Sequence, residues 1–115
     1  MWDIIFYEKQ NGIFPVQEFL DGLPSKHRAK AVWEIELLET GGTALGMPYA
    51  RHIEKKLWEL RVKFAGDISR IFYFTPRGNS IVLLHGFVKK TQRTPQREIS
   101  IARSYLDDYE RRCKI

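Results

Sequence analysis

Basic side chains gather where the last apolar run of the sequence ends. The stretch LLHGFVKKTQRTP (83–95) leads into a predicted helix start, and its side chains with chemical potential are His85, Lys89, Lys90, Gln92 and Arg93. A helix N-terminus already favours an anion through its unpaired N–H groups, and lysine and arginine add charge and hydrogen bonds. The stretch therefore predicts a phosphate-binding site. Lysines at a sheet edge also discourage aggregation, which is the alternative explanation.

Two further cations interrupt runs that are otherwise apolar. Arg61 lies in KLWELRV (56–62), and Arg70 lies in ISRIFYF (68–74). A charge within such a run is costly unless it is solvated or paired. The two arginines therefore indicate an open, wet sheet face that can bind phosphate. The alternative is a structural ion pair, for example between Arg70 and Asp67.

His85 has two interpretations that the sequence leaves open. A single histidine on an apolar strand commonly packs with one ring nitrogen hydrogen-bonded, whereas beside a basic cluster it could carry a proton. His27 and His52 lack the spacing of metal ligands, and the sequence contains no HExxH, Walker loop, GxSxG or paired-carboxylate pattern. We therefore expect a site without metal or cofactor.

The charge of the chain is distributed unevenly. Residues 1–50 hold four Lys/Arg and seven Asp/Glu, a net charge of −3, whereas residues 51–115 hold fifteen and seven, a net charge of +8, which together give the formal net charge of +5. This asymmetry favours a polyanion as the partner of one region of the fold. Basic residues that only keep the surface solvated are the alternative.

Length and composition fit one domain over residues 1–115. No apolar run approaches the roughly 20 residues that cross a bilayer, so we expect no membrane partner. The start MWDIIFYEKQNG (1–12) lacks the basic region and cleavage site of a secretory signal. Cys113 is the only cysteine, which excludes an intrachain disulfide. We therefore expect a cytoplasmic protein.

The first half of the sequence predicts one strand and two helices. The run WDIIFYE (2–8) is short and rich in β-formers, which predicts a strand. The run FPVQEFLDGL (14–23) predicts a short helix, and 25–39 predicts a longer one with Ser25 as its N-cap. Residues 41–54 are rich in glycine and are predicted to be a loop.

The second half predicts an antiparallel meander and a final helix. Three strand-like runs, 56–62, 68–74 and 80–88, are separated by turn residues. Thr94 as N-cap and Pro95 at the first helical position begin the last helix. The order β-α-α-β-β-β-α predicts an α+β fold: a small, mainly antiparallel twisted sheet with a helical hairpin and a C-terminal helix.

Alternation along the strands predicts which side chains share a face of the sheet. In the second predicted strand, Glu59 and Arg61 lie on one face. In the last predicted strand, strict alternation assigns to one face Ile81, Leu83, His85, Phe87 and Lys89. We expect that Arg61, Arg70 and Lys90 gather over one water-exposed hollow that binds a sugar-phosphate chain.

The C-terminal half resembles a known group of bacterial toxins. The strings LWELRV, ISRIFYF and IVLLHGFVKKTQRTPQREISIA, within residues 56–106, are similar to the RelE/ParE superfamily. The nearest branch is the HigB type, which includes phage-derived relatives. The preceding strand and helix pair fit the order of the family, so the resemblance covers the whole chain and implies a RelE-like fold.

The resemblance implies a metal-independent endoribonuclease, an mRNA interferase that cuts messenger RNA in the ribosomal A site and so inhibits translation. In that reaction the 2′-hydroxyl attacks the adjacent phosphate and leaves a cyclic phosphate and a 5′-hydroxyl. Such a site must deprotonate the 2′-hydroxyl, stabilise the extra charge of the phosphorane and protonate the leaving oxygen.

The same resemblance assigns roles to individual residues. Arg70 matches a family arginine that contacts the scissile phosphate, and Lys89 or Lys90 matches a second phosphate-binding cation. Arg61 has a structural or RNA-binding role. Further RNA contacts are expected from Lys55, Lys56, Gln92 and Arg93.

The sequence departs from RelE at two places. RelE has lysines on the strand before the LR pair, where this chain has Leu57 and Glu59, and RelE has a proton-transferring tyrosine beyond the basic cluster, where this chain reads TPQRE. The general base therefore stays open among His85, Lys56 and Lys90.

Two other functions remain open on the same fold, because fold alone does not decide function. One is a ParE-like inhibitor of DNA gyrase, and the other is a nucleic-acid-binding module without catalysis. The resemblance also implies a cognate antitoxin, HigA-like with a helix-turn-helix part, whose acidic segment would cover the basic sheet. A toxin–antitoxin heterotetramer is one candidate assembly, and the ribosome and mRNA are the expected targets.

Overall fold

The structure, a computed structural model, describes residues 1–89 and 94–113. These residues form five strands and three α-helices in the order β1 (Asp3–Phe6), α1 (Pro15–Asp21), α2 (Ser25–Gly41), β2 (Ala50–Glu54), β3 (Leu57–Phe64), β4 (Asp67–Phe74), β5 (Ser80–Lys89) and α3 (Gln96–Cys113). A single 3₁₀ turn, Gly42–Ala44, follows α2. The predicted α+β class is confirmed. In the described ranges, no helix combines the length and apolar character needed to cross a membrane.

The five strands form one sheet in the order β1-β5-β4-β3-β2. β1 pairs with β5 in parallel, and the other neighbours are antiparallel. The predicted meander is confirmed as β3, β4 and β5. β3 begins one residue later and ends two residues later than predicted, β4 begins one residue earlier, and β5 ends one residue later.

β2 corrects the prediction that residues 41–54 are loop. Its sequence ARHIE has only one strongly apolar side chain, so local pattern gave no strand signal. The segment becomes a strand because it pairs antiparallel with β3, where Arg51 lies opposite Glu59. Pairing with a neighbour, rather than propensity, decides the structure here.

The helix boundaries also differ in two places from the sequence prediction. Ser25 is the first residue of α2, and Pro24 is its N-cap without a side-chain hydrogen bond, so Ser25 is not the cap. α3 begins at Gln96 instead of Pro95, and the Pro95 carbonyl accepts the N–H groups of Glu98 and Ile99 at 3.1 and 3.3 Å. The Thr94 hydroxyl contacts a carboxylate of β3 instead, as described below.

Helices cover both faces of the sheet and bury two hydrophobic clusters. α1 and α2 pack on one face, where the buried side chains include Leu20, Leu38, Leu60, Ile71, Ile81 and Leu83. α3 packs on the other face, where the buried side chains include Leu57, Phe72, Phe74, Val82, Leu84, Ile99 and Leu106. We call these the α1–α2 face and the α3 face.

A bulge in β5 changes which of its side chains share a face. Phe72 lies opposite His85, but Tyr73 lies opposite Leu83, so Leu84 is an extra residue in β5. One extra residue reverses the alternation from that point on. His85, Phe87 and Lys89 therefore share the α3 face with Val82 and Leu84. The predicted grouping with Ile81 and Leu83 is wrong, because those two side chains lie in the α1–α2 core.

Candidate phosphate-binding site

Arg61 and Arg70 are directly opposite each other on β3 and β4. Directly opposed residues have Cβ atoms about 5 Å apart, so two guanidinium groups rise from neighbouring positions of the α3 face. The bulge puts Lys89 on the same face. Lys89 lies directly opposite Ile68, which is the next residue of β4 on that face after Arg70. Two of the three cations expected to gather, Arg61 and Arg70, therefore lie side by side.

Glu59 is the centre of the site, and the sequence did not single it out. It is fully buried, and one of its oxygens, Oε1, lies 3.2 Å from Arg70 Nη1 and 3.3 Å from Arg51 Nη2. Arg70 is therefore in a buried ion pair, as the alternative from the sequence allowed, but its partner is Glu59 and not Asp67. The expectation that Arg70 lies on an open, wet face is wrong, because the side chain is buried. Arg51 was missed because it lies in the segment predicted to be loop.

Thr94 connects this carboxylate to the start of α3. Its hydroxyl donates to Glu59 Oε2 at 3.1 Å and accepts from Arg51 Nη2 at 3.2 Å. Lys89 Nζ lies 3.5 Å from the same hydroxyl, a long contact. A threonine hydroxyl has one donor and two acceptor positions, so these contacts are compatible. We call Arg51, Glu59, Arg61, Arg70, Lys89 and Thr94 the Glu59 cluster.

The Glu59 cluster carries more positive than negative charge. Four cations surround one carboxylate, a formal surplus of three positive charges, since +4 and −1 give +3. Arg70 is only 6% exposed and Lys89 only 9% exposed. Among the described residues, the Nε groups of Arg61 and Arg70 are buried without a hydrogen-bond partner. Buried donors without partners are costly, so the arrangement suits an anion that accepts from them.

The surplus charge changes the proton affinity of Lys89. Burial, together with the charge of Arg70, lowers the pKa of the Lys89 ammonium, while Glu59 opposes the shift. Burial also lowers the pKa of Arg70, although a guanidinium starts so high that it stays charged. Lys89 thus loses its proton more readily than an exposed lysine, which is a property of proton donors in active sites.

His85 lies on the same face, beside the cluster. Its Nε2 is 2.6 Å from Glu98 Oε1, and its ring stacks with Phe72 and Phe87 at centroid distances of 6.3 and 6.2 Å. The side chain keeps 16% of its surface exposed. The packed, hydrogen-bonded interpretation of His85 fits these contacts, and the exposed part of the ring is open to solvent.

Lys55 and Lys56 lie elsewhere, in the turn between β2 and β3. Lys56 Nζ is 2.6 Å from Glu110 Oε2 on α3. Arg61 is five residues farther along the chain, or about 17 Å at the rise of a strand. The structure does not bring these lysines into the Glu59 cluster. Lys90, Gln92 and Arg93 lie outside the described residues.

The described part of the chain contains no group of three or more His, Cys, Asp or Glu side chains placed to hold a metal ion. The chemistry that the Glu59 cluster can supply is binding of a phosphate by fixed cations, and Lys89 and His85 are the groups that could transfer a proton.

The fold and the Glu59 cluster define a small α+β protein with a half-buried, positively charged sheet face. The family model "Phage derived protein Gp49-like (DUF891)" matches residues 18–107, more than half of the chain. The chain therefore belongs to the phage-derived Gp49-like family, a toxin-like family of the RelE/HigB type. A search of curated proteins found no match. The predicted resemblance is confirmed at the level of this family.

Proposed function

We propose that this protein is the toxin of a type II toxin–antitoxin pair and a metal-independent endoribonuclease that cleaves messenger RNA on the ribosome, in the cytoplasm. The observation that carries the proposal is the surplus of positive charge in the Glu59 cluster, where two arginine Nε groups have no partner among the described residues. Family membership supports the toxin-like class.

In the proposed mechanism, Arg70 and Arg61 hold the scissile phosphate and stabilise the charge that develops on the phosphorane. Fixed donors in a partly desolvated site do this more effectively than water, because they need no reorganisation. Glu59 does not contact the RNA. It is fully buried and holds Arg70 and Arg51 in place through its Oε1 atom.

Lys89 is the proposed general acid, which protonates the 5′-oxygen as it leaves. Its lowered pKa and its position on the same face as Arg70 support this role. His85 is the proposed general base that takes the proton of the 2′-hydroxyl. It is preferred over Lys56 because Lys56 pairs with Glu110 at the other end of α3.

The direct test is to express the chain and map transcript ends on translating messages. We expect new 5′-hydroxyl ends within reading frames for the wild type and for Arg77→Ala, an exposed arginine outside the cluster. Arg70→Ala should remove these ends, and circular dichroism should show that the variant is folded although less stable, because the buried Glu59 keeps Arg51 as a partner. Intact messages with DNA breaks would instead indicate a gyrase inhibitor, and neither effect would indicate a binding module without catalysis.

We also propose a cognate antitoxin with a helix-turn-helix part, encoded in the neighbouring reading frame, which neutralises the toxin through an acidic segment over the Glu59 cluster. The charge surplus supports this choice, because complementary charge favours association. Co-expression of that reading frame should restore growth and yield a complex, for which light scattering gives the stoichiometry; a heterotetramer is expected. A neighbouring frame that encodes no small DNA-binding or acidic protein would contradict the proposal.

A further inference from the structure

A cavity of about 340 Å³ opens at the outer edge of β5, beyond the point where β1 ends. β1 pairs only with residues 80–83 of β5, and the last contact is the Tyr7 N–H donating to the Leu83 carbonyl at 3.0 Å. In the described ranges, no strand pairs with the outer edge of β5 after that point. Peptide groups at this edge are therefore not used in strand pairing by the described part of the chain.

Gly86 makes the floor of this cavity bare backbone. A Cβ atom at this position would clash with the Phe19 ring of α1, so only glycine lets that ring lie against the strand. The floor thus carries no side chain at Gly86 and lies beside an aromatic wall, the Phe19 ring.

The opposite wall is also aromatic. Tyr105 of α3 and His85 of β5 line it, with the two rings edge to face at a centroid distance of 6.0 Å. Tyr105 is fixed from behind by Tyr7, which stacks on it at 4.9 Å. A flat heterocycle can lie between such walls, because every nucleobase has a π-face that stacks on aromatic side chains.

Two charged side chains of opposite sign complete the lining, Lys9 and Glu18. Neither makes an ion pair with another described residue. An ammonium and a carboxylate can pair with the carbonyl, ring-nitrogen and amino groups on the edge of a base. The lining therefore combines stacking surfaces with one donor group and one acceptor group.

The cavity is next to the Glu59 cluster. His85, which lines the cavity, shares the α3 face with Phe87, and Phe87 lies directly opposite Arg70. Lys89 is four residues from His85 on the same face, about 13 Å along an extended strand. One RNA strand can therefore occupy the cavity and contact the cluster together.

We propose that this cavity binds one nucleobase of the RNA strand whose phosphate the Glu59 cluster holds. The inference rests on the proposed function and deepens it, since it adds a base-recognition site to a phosphate site.

The first test measures the affinity of short RNA by fluorescence anisotropy. The probes are tetranucleotides with 2′-methoxy groups, which cannot be cleaved, and matched probes with one abasic position. We expect at least one base-containing probe to bind fivefold or more tightly than its abasic match. Tyr105→Leu and the isosteric Glu18→Gln should each reduce this ratio towards one.

Two controls separate the base site from the phosphate site. Trp33→Leu removes an exposed aromatic ring on α2 and should leave the ratio unchanged. Arg70→Ala should weaken all probes by the same factor and also leave the ratio unchanged. Equal affinity of base-containing and abasic probes for the wild type would overturn the inference.

A second experiment needs no RNA binding. Adenosine, guanosine, cytidine and uridine are titrated into the labelled protein, with ribose as the reference, and the amide signal of Gly86 is followed by NMR. Shifts with a nucleoside but not with ribose support the base site, even if no tetranucleotide binds and the proposed function fails. Identical responses to nucleosides and ribose would overturn the base site in either case.

Discussion

Arg70 Nη1 lies 3.2 Å from Glu59 Oε1, and both side chains are buried in the sheet. The pair leaves Arg70 Nε without a partner among the described residues, so Glu59 neutralises the guanidinium only in part. Arg51 Nη2 reaches the same carboxylate oxygen from β2 at 3.3 Å. Glu59 of β3 thus forms ion pairs with arginines from the strands on either side of it, β2 and β4.

Glu59→Ala should lower the free energy of unfolding by about 3 kcal/mol, because it leaves buried guanidinium charge uncompensated. Arg51→Ala removes an ion pair whose arginine is 45% exposed. Its cost should be about 1 kcal/mol or less. Urea denaturation of the two variants measures both values. Equal losses for the two variants would show that Glu59 is not the centre of the cluster.

Arg70→Ala should weaken the binding of a single-stranded RNA about tenfold, and should reduce the slope of log affinity against log salt by about 0.7, the value for one phosphate contact on a single strand. Arg77→Ala is the matched control, since Arg77 is exposed in the turn between β4 and β5. Anisotropy titrations at several salt concentrations give both quantities. An unchanged slope for Arg70→Ala would remove Arg70 from the phosphate site.

The lowered pKa of Lys89 predicts a pH dependence of RNA cleavage. A general acid must be protonated, so the single-turnover rate should fall as the pH rises through the lowered pKa, before an ordinary lysine near 10.4 would titrate. Lys89→Arg should move this loss to higher pH or abolish cleavage. Lys63→Arg is the control: Lys63 is exposed and lies opposite Ile68 on β3, as Lys89 does on β5, and this variant should keep the wild-type pH profile. If Lys89→Arg keeps both the wild-type pH profile and full activity, the general acid is a group other than Lys89.

Asp108 should make the free energy of unfolding depend on pH in the acid range. The Tyr7 hydroxyl donates to Asp108 Oδ2 at 2.6 Å, and this hydrogen bond, aided by Gln10 and Arg112, lowers the pKa of Asp108 to about 2. A carboxylate with a lowered folded-state pKa stabilises the fold above its unfolded value of about 3.9, and the effect is lost as the pH falls to about 2.

The measurement is the difference in unfolding free energy between wild type and Asp108→Asn as a function of pH. It should be constant above about pH 5 and should shrink between about pH 4 and 2. Asp107→Asn, at the neighbouring exposed position, should show no such change. A difference that is flat down to about pH 2 would contradict the assigned cause.

Gly86→Ala should destabilise the protein by about 1–3 kcal/mol, because its methyl group overlaps the Phe19 ring. Adding Phe19→Leu should make the double variant less unstable than the sum of the single variants, a coupling that a double-mutant cycle measures. Gly46→Ala places its methyl group in open space and should be nearly neutral. Additive losses at 86 and 19 would mean that the two positions do not interact.

The sequence was informative where apolar periodicity is strong. The β3–β4–β5 meander, α2 and the buried stripe of Ile99, Ala102 and Leu106 follow from local pattern, and Glu59 was correctly grouped with Arg61 on one face. β2 did not follow, because ARHIE becomes a strand only by pairing with β3. Thr94 has the residue type and position of a helix cap, but a buried carboxylate from β3 competes for its hydroxyl.

The ion pairs of the site needed tertiary structure. Arg70 is three residues from Asp67 in sequence, yet its partner is the cross-strand acid Glu59. Arg51 contributes from a segment without strand signal. Alternation alone also placed Lys89 with the wrong neighbours, since nothing in the apolar run of β5 marks the bulge at Leu84.

Beyond that bulge, the face that Lys89 occupies depends on the number of residues in β5, which substitutions do not change. Between Leu83 and His85 the strand contains one residue more than its partner. Loss of one residue after the bulge, between His85 and Lys89, would turn every side chain beyond it to the other face and direct the Lys89 ammonium into the apolar layer under α1 and α2, whereas loss of Leu84 itself would only restore regular pairing. Relatives that retain this chemistry should therefore vary in amino acid along β5 but conserve the number of positions between His85 and Lys89, whereas the β4–β5 turn is free to lengthen.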